Sequence, residues 1–466
     1  MNSSPIKRDE TPATLLADLR QAGREPALPF TLILPAGDRL EFTRLLRLLP
    51  GKRLAGLALR NGQPVFAKLF IDADAIRHGE RERTGLVALT EAGLPTPPLH
   101  FAAPIAEGGY LTLTDFLDGA TVLKEHPLTP REPQPVLSAM RLLGRLHGAG
   151  LVQDDPHFGN FLLHGGQLLL IDGDGIRVDA SASGQCANLA RLLAELEPVW
   201  DAHHPQLLQA WGRQVDAKAL ERAMTKARQR RLRRFLAKTV RDCTQFAVHK
   251  KFHRFTAVLR SEASNLQPLL ADPDTAIATG QCLKNGRTCT VAAIEVSGRR
   301  VVVKRYNLKD WRHVLSRLWR PSRAWHSWLA ARRLNFYGIA TPQALALIEE
   351  RRGALRGRAF FIAEHCPGSN LLALLDPARE PEPAIQYALR ELFQTLYRLR
   401  LTHGDLKASN LLWYAGQIVL IDLDALTEHR SLSKFNRAWQ RDRERLLRNW
   451  PSQSVLVEWL QSTLPG

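Results

Sequence analysis

Apolar and polar residues alternate in two well-separated stretches in the way a β-hairpin requires. In the first, Leu54-Ala55-Gly56-Leu57-Ala58-Leu59 is followed by Asn61-Gly62 and then by Val65-Phe66-Ala67-Lys68-Leu69-Phe70. Asn-Gly tolerates the positive φ angles of a two-residue turn, so this pattern predicts two antiparallel strands. The second stretch repeats it, with Thr290-Val291-Ala292-Ala293-Ile294-Glu295-Val296, a Ser297-Gly298 turn and Val301-Val302-Val303-Lys304. Each hairpin thus places one lysine, Lys68 or Lys304, in a strand that is otherwise apolar. Helical spacing follows over residues 75–92, where Gly93-Leu94-Pro95-Thr96-Pro97 stops it. A second such stop occurs at Gly338-Ile339-Ala340-Thr341-Pro342. Residues 136–150 carry Leu137, Met140, Leu143, Leu146 and His147 at helical intervals, and residues 384–401 predict a helix in the corresponding place. Residues 1–29 are polar and punctuated by proline, and read as a tail or a short packing helix.

Each of these later helices leads into the same constellation. The first is Gln153-Asp154-Asp155-Pro156-His157-Phe158-Gly159-Asn160, with Ile171-Asp172-Gly173-Asp174 after one apolar run. The second is His403-Gly404-Asp405-Leu406-Lys407-Ala408-Ser409-Asn410, with Ile421-Asp422-Leu423-Asp424. Asp155, Asn160 and Asp172 recur as Asp405, Asn410 and Asp422, each 250 positions on. Phosphoryl transfer needs a carboxylate to orient an attacking hydroxyl and take its proton, and oxygen ligands for the magnesium that carries ATP. Two sets in register make chance matching improbable, and the constant offset marks a repeat of whole domains.

Given those sets, Lys68 and Lys304 become candidates for gripping the α- and β-phosphates; alone, either would read as a lysine snorkelling at a sheet edge. Such a lysine needs a carboxylate to hold it. Glu80 and Glu82 are both available on the first helix, whereas the matching interval in the second half falls on Ser327. There Glu364 or another acid substitutes, or Lys304 is held differently, or that half is less active. Gly51 and Gly56 fit a phosphate-covering loop or plain turns equally well. His147 reads as structural. His157 takes the position of Lys407, close to where a transferred phosphate would lie.

The chain has 466 residues, 45% apolar and 24% charged, which suits two globular domains. Its formal net charge of +18 favours polyanionic partners, with a solvated basic surface as the other reading. Cys186, Cys243, Cys282, Cys289 and Cys366 lack metal-ligand spacing and read as reduced thiols. No uncharged apolar run approaches the roughly 18 residues of a membrane span, and MNSSPIKRDETP has no signal-peptide core. Any membrane contact is therefore expected to be peripheral.

Residues 217–263 read as long basic helices, with Leu232, Phe235, Leu236, Val240 and Phe246 as a buried stripe. No nucleic-acid-binding signature accompanies them, so nucleic acid is not expected as a partner. The domain boundary is expected near 267–275, giving a tail of residues 1–29 and domains of residues 30–266 and 267–466. Between Lys304 and the next helix, residues 308–323 place Trp311, Leu315, Leu318 and Trp319 on one helical face beside arginines. That segment suits a membrane interface or packing on its own domain.

The loops at 155–172 and 405–422 resemble the catalytic and metal-binding loops of the protein-kinase-like superfamily. Further motifs of the second half sharpen this. Arg320-Pro321-Ser322-Arg323-Ala324-Trp325, Gly338-Ile339-Ala340-Thr341-Pro342, Ala344-Leu345-Ala346-Leu347-Ile348-Glu349 and residues 403–410 are similar to the lipopolysaccharide core kinases. These are the Kdo and inner-core heptose kinases, and the resemblance covers about residues 280–430. The first half looks like a more divergent, RIO-like member. The resemblance implies an α+β fold class, with two tandem bilobal domains, each an antiparallel-sheet N-lobe with a mainly helical C-lobe. It implies ATP and Mg2+ as cofactors, with Asp155 and Asp405 catalytic, His157 and Lys407 beside them, and Asn160, Asp172, Asn410 and Asp422 holding the metal. Lys68 with Glu82, which this comparison favours, and Lys304 would bind the nucleotide. Asp115 and Glu364, in Leu113-Thr114-Asp115-Phe116-Leu117-Asp118-Gly119 and Phe361-Ile362-Ala363-Glu364-His365-Cys366-Pro367-Gly368, would lie at the hinges.

The implied reaction is phosphorylation of a sugar hydroxyl of the lipopolysaccharide core-lipid A acceptor by a cytoplasmic protein peripheral to the anionic inner-membrane surface. The sequence also admits a RIO- or Bud32-like Ser/Thr protein kinase, which would share every catalytic residue. A scaffold with one or both copies inactive is the third reading, motivated by Ser327 and by Gln153-Asp154.

Overall fold

The computed structural model describes residues 12–466 except 36, 308–320 and 354. The tryptophan-rich segment thus lies almost wholly outside the described residues. The chain divides into two compact units. One holds the chain up to Leu196 together with Trp200–Arg228, the other Glu197–Val199 and Gln229–Gly466.

The first unit begins with helix α1 (Pro12–Gln21), whose Leu16 and Leu19 are buried against the first sheet, so the packing-helix reading is the correct one. That sheet has the order β1-β2-β3-β4-β6-β5, with β1 Phe30–Ile33, β2 Arg39–Leu49, β3 Arg53–Arg60, β4 Gln63–Phe70, β5 Leu99–Ile105 and β6 Gly109–Asp115. Asn61 and Gly62 both take positive φ in the β3–β4 turn, as their identity predicts. Helix α2 (Ala75–Glu91) buries Ala75, Gly79, Glu82, Gly85, Leu86 and Leu89. One charged residue therefore sits within a stripe of small and apolar ones. Helix α3 (Gln134–Gly148) buries the apolar positions read from its spacing and leads into the loop of residues 153–160.

The second unit opens with a difference from expectation. Residues 246–259 are not helical; they form β7 (Phe246–Lys251) and β8 (Arg254–Leu259), a hairpin that adds to the second sheet. The sheet order is β7-β8-β12-β13-β11-β10-β9, with β9 Gln281–Asn285, β10 Cys289–Val296, β11 Arg299–Tyr306, β12 Ala344–Arg352 and β13 Leu355–Glu364. Phe255, Ala257 and Val258 are buried there, so period-two patterning outweighs the basic composition that suggested helix. Because β8 pairs with β12, the units separate after Arg228, inside the basic helix Ala217–Lys238, and not at 267–275. Leu232 of that helix is buried in the second unit's core, while Arg230, Arg233 and Arg234 are exposed.

Helix α4 (Arg323–Phe336) covers the second sheet, and α5 (Pro383–Arg398) leads into the loop of residues 403–410. The chain after Asp424 ends in two packed helices. Helices α6 (Leu432–Leu447) and α7 (Val455–Thr463) bury Phe435, Trp439, Leu446, Trp459 and Leu460 in the core that also holds Leu406, Ala408 and Leu420. Each unit therefore has the expected antiparallel sheet beside a mainly helical part. No helix among the described residues is long and apolar enough to cross a membrane.

Candidate active site

In the first unit, β4 presents Lys68 opposite Thr112 of β6, with its side chain only 13% exposed. Its Nζ lies 2.5 Å from Glu82 Oε1 and 3.2 Å from Asp172 Oδ1. Burial works to lower this ammonium's pKa, yet the charges of Glu82 and Asp172 outweigh it and hold it above the ordinary lysine value. Glu82 Oε2 also accepts from the backbone N–H of Asp174 at 2.9 Å. Glu80 faces elsewhere, accepting from Tyr110 Oη at 2.8 Å and Arg83 Nε at 2.9 Å. Two residues along a helix are about 200° around its axis, so only one of the two acids can reach the lysine.

Two glycines bring α2 this close. A Cβ on Gly85 would lie 1.9 Å from the carbonyl oxygen of Gly173, and one on Gly173 would lie 2.4 Å from that of Glu82. Backbone therefore meets backbone between the helix and the Asp-Gly-Asp turn. Asp172 itself takes φ +74°, a left-handed conformation uncommon outside glycine. The charge of Lys68 is the chief influence holding its carboxyl below the usual range; burial opposes this and Arg53, 3.8 Å away, assists.

The loops of residues 153–160 and 403–410 adopt the same hydrogen bonds. Asn160 Nδ2 donates to Asp155 O at 3.2 Å, and Asn410 Nδ2 to Asp405 O at 2.9 Å. The N–H of Ile171 donates to Asn160 O at 3.0 Å, and that of Ile421 to Asn410 O at 3.1 Å. Gln153-Asp154 thus does not disturb the loop, although its support differs. Asp154 N–H donates to Gly175 O at 2.7 Å, whereas Gly404, at φ +77°, donates to the buried Asp442 Oδ2 at 3.0 Å. Asp442 was not foreseen, because nothing in its local sequence distinguishes it from the other charges of α6.

A cleft of about 650 Å³ in the first unit is lined by Lys68, Glu82, Asp115, His157, Asn160 and Asp172, with Arg44, Arg47 and Arg53. Asp115, the last residue of β6, lines this cleft and is also paired with His100 at 2.5 Å. Asp155 is exposed and joins this set through Asn160. The three arginines were missed because they lie in β2 and β3, where a phosphate-covering loop would be marked by glycines. Gly51 proves to be a turn residue at φ +67°, and Gly56 backs onto a bulge of β2. His147 is structural: Trp211 Nε1 donates to its Nδ1 at 3.1 Å, and its Nε2 meets Asn188 Oδ1 at 2.9 Å.

The second unit's cleft, about 370 Å³, is lined by Lys304, Ser327, Glu364, Asn410, Asp422 and Asp424 among others. Lys304 Nζ hydrogen-bonds Asp422 and lies 2.9 Å from Asp424 Oδ2. Burial again opposes its charge, and Asp424 and Asp422 outweigh that to raise its pKa. Glu364 does not hold this lysine. It pairs across the sheet with Val301, three positions from Lys304, and its carboxylate turns to Arg299 at 3.3 Å. Asp405 is flanked by Lys407 Nζ at 3.1 Å and by Arg445 Nη1 at 2.9 Å.

Asn160 Oδ1 is buried without a hydrogen-bond partner, and Asn160 and Asp172 line the same cleft. A carbonyl oxygen and a carboxylate facing one cleft are the donor types that suit a hard divalent cation. Among the described residues no cluster of three or more His, Cys, Asp or Glu side chains offers a different metal site.

Residues 279–460 match the lipopolysaccharide kinase (Kdo/WaaP) family. The second unit carries a lipopolysaccharide kinase domain. This match lies wholly within that unit and makes the lipopolysaccharide kinase domain a phosphotransferase with an alcohol acceptor. Solved structures similar to the chain include WaaP in complex with acyl carrier protein, at 22% identity over 38% of this chain and 73% of that one, TM-score 0.29. Vaccinia related kinase 3 matches at 13% identity over 56% and 87%, TM-score 0.30. WbdD in a co-crystal with the kinase inhibitor LY294002 matches at 15% identity over 41% and 46%, TM-score 0.28. No curated protein matches the chain.

Proposed function

We propose that the lipopolysaccharide kinase domain transfers the γ-phosphate of ATP to a heptose or Kdo hydroxyl of the lipopolysaccharide inner core, at the cytoplasmic face of the inner membrane. The observation that carries this reading is the Asp405–Asn410–Asp422 set, opposite the buried Lys304, within the matched region.

The sugar hydroxyl would approach Asp405, whose carboxylate orients it and accepts its proton as the new O–P bond forms. The bond from the γ-phosphorus to the bridging oxygen breaks, and ADP leaves. Lys304 positions the α- and β-phosphates, and Lys407, beside Asp405, meets the charge of the phosphoryl group in transit. Asn410 and Asp422 would hold magnesium, which when bound neutralises charge on the phosphate oxygens. Glu364 would stand at the adenine side. The net charge of +18 suits an acceptor that is already anionic and a negatively charged membrane surface.

The first unit carries the same residue set, so we extend the reading to it. Lys68 and Glu82 would position a triphosphate, Asn160 and Asp172 would hold magnesium, Asp155 would act as base with His157 nearby, and Asp115 would mark the hinge. An inactive scaffold has no chemical need for all of these.

The test is transfer of labelled phosphate from Mg-ATP to purified core-lipid A lacking inner-core phosphate, beside a protein acceptor mixture. Label on the glycolipid is expected, lost in Asp405→Asn. Label on protein alone would favour the protein-kinase reading, and nucleotide binding without transfer the scaffold. Asp155→Asn reports whether the first unit contributes.

A further inference from the structure

The second unit lacks the helix glutamate that holds its counterpart lysine, yet Lys304 is no less firmly held. In place of Glu82 stands Ser327, at the same interval before a Gly-x-x-Thr-Pro stop. In place of Phe70, two residues after the lysine, stands Tyr306. Both substitutions bring a hydroxyl, and both hydroxyls go to one acceptor. Tyr306 Oη donates to Asp424 Oδ1 at 2.5 Å and Ser327 Oγ donates to the same oxygen at 2.7 Å. The other oxygen, Oδ2, then faces Lys304 Nζ at 2.9 Å. The ammonium also lies 5.2 Å from the Tyr306 ring centroid.

Packing explains why the acid changed places. In the first unit, Gly85 and Gly173 let helix and loop meet backbone to backbone. The corresponding residues of the second unit are Ala330 and Leu423, both buried, and both carry side chains where the first unit has none. Asp174, the counterpart of Asp424, has no such task in the first unit; its carboxylate pairs with Arg81 at 3.2 Å.

We infer that Asp424 is the positioning residue for Lys304, supplied by the loop in place of a helix glutamate and aimed by the paired hydroxyls of Tyr306 and Ser327. This rests on the reading of the second cleft as a nucleotide site. Asp424 acts through Lys304 and not as a ligand of the metal, so its effect on nucleotide binding exists only while the lysine is present.

The test uses the full chain carrying Lys68→Met, Glu82→Leu and Asp172→Asn, which disables the first unit's cleft without leaving a buried unpaired charge, so that nucleotide binding is read at the second unit. Calorimetry measures a non-hydrolysable ATP analogue, with magnesium and in EDTA, and the melting of each nucleotide-free variant is recorded. Lys304→Ala and Asp424→Asn should each weaken binding about tenfold, and Tyr306→Phe and Ser327→Ala about threefold, from the loss of charge-assisted contacts. The Lys304→Ala/Asp424→Asn double variant should bind no more weakly than Lys304→Ala alone. Additive losses, an Asp424→Asn effect that vanishes in EDTA, or a lowered melting temperature with unchanged affinity would each overturn the inference. If Lys304→Ala itself leaves binding intact, the nucleotide-site reading falls and takes the inference with it.

Discussion

Arg445 braces Asp405: its Nη1 lies 2.9 Å from Asp405 Oδ1 and also donates to Gly404 O at 2.7 Å. At the same point of the first unit stands Glu195, whose Oε2 instead accepts from the N–H of Phe158 at 2.7 Å. The Arg445 pair is half-exposed and contributes little to stability. If Asp405 is the base proposed above, this brace orients its carboxylate. Arg445→Ala should lower kcat for phosphate transfer by about tenfold with little change in KM for ATP, as expected for a displaced reacting group. Steady-state kinetics on the glycolipid acceptor measure this.

The Lys68–Glu82 pair calls for the opposite kind of measurement. Glu82 is 1% exposed, so Glu82→Ala leaves the lysine buried with only Asp172 beside it. Breaking a buried pair from one side costs about 3–5 kcal/mol when the remaining charge has no partner; Asp172 stays beside Lys68, so the loss here is smaller, about 1–3 kcal/mol. Urea unfolding of the first unit should show a loss of this order, and a Lys68→Met/Glu82→Leu double variant should recover most of it.

Acid stability depends on Asp172. Its carboxyl is depressed in the folded state, chiefly by Lys68, so its contribution is complete above the ordinary aspartate pKa of about 3.9 and drains away as pH falls through the folded value. Asp172→Asn should therefore flatten the fall in stability below about pH 4, read as melting temperature against pH.

Gly85 tests the helix–loop approach without touching a charge. A Cβ there would meet the Gly173 carbonyl oxygen at 1.9 Å, a contact that backbone cannot yield by rotating a side chain. Gly85→Ala should push α2 outward, separate Glu82 from Lys68 and weaken nucleotide binding at the first unit by about tenfold. Binding titration in an Asp422→Asn background reads it.

The parts of the site written in short sequence were legible. Asn61-Gly62 and Ser297-Gly298 announced the hairpins that carry both lysines, and the repeated Asp-Asn-Asp spacing announced loops whose hydrogen bonds recur between the units. What escaped was set by partners distant in the chain. Phe246 and Phe255 sit in basic surroundings that imitate a helix, and only pairing with β12 makes their stretch a sheet edge. Glu364 was a reasonable substitute acid by type, but strand register fixes it three positions too far along. Asp442 and Arg445 look like any charges on a basic helix until the loop they brace is laid beside them. Trp439 and Trp459 are core residues for the same reason, their burial depending on how α6 and α7 fold back.

The two ways of holding a lysine differ in what can undo them. In the first unit the gripping carboxylate rides on α2, so an outward shift of that helix would part Glu82 from Lys68 and leave Asp172 as its remaining carboxylate. In the second unit the grip and Asp422 stand two residues apart on one tight turn, and moving α4 removes an aiming hydroxyl but leaves the acid in place. One chain thus holds one buried lysine from a helix and the other from a turn.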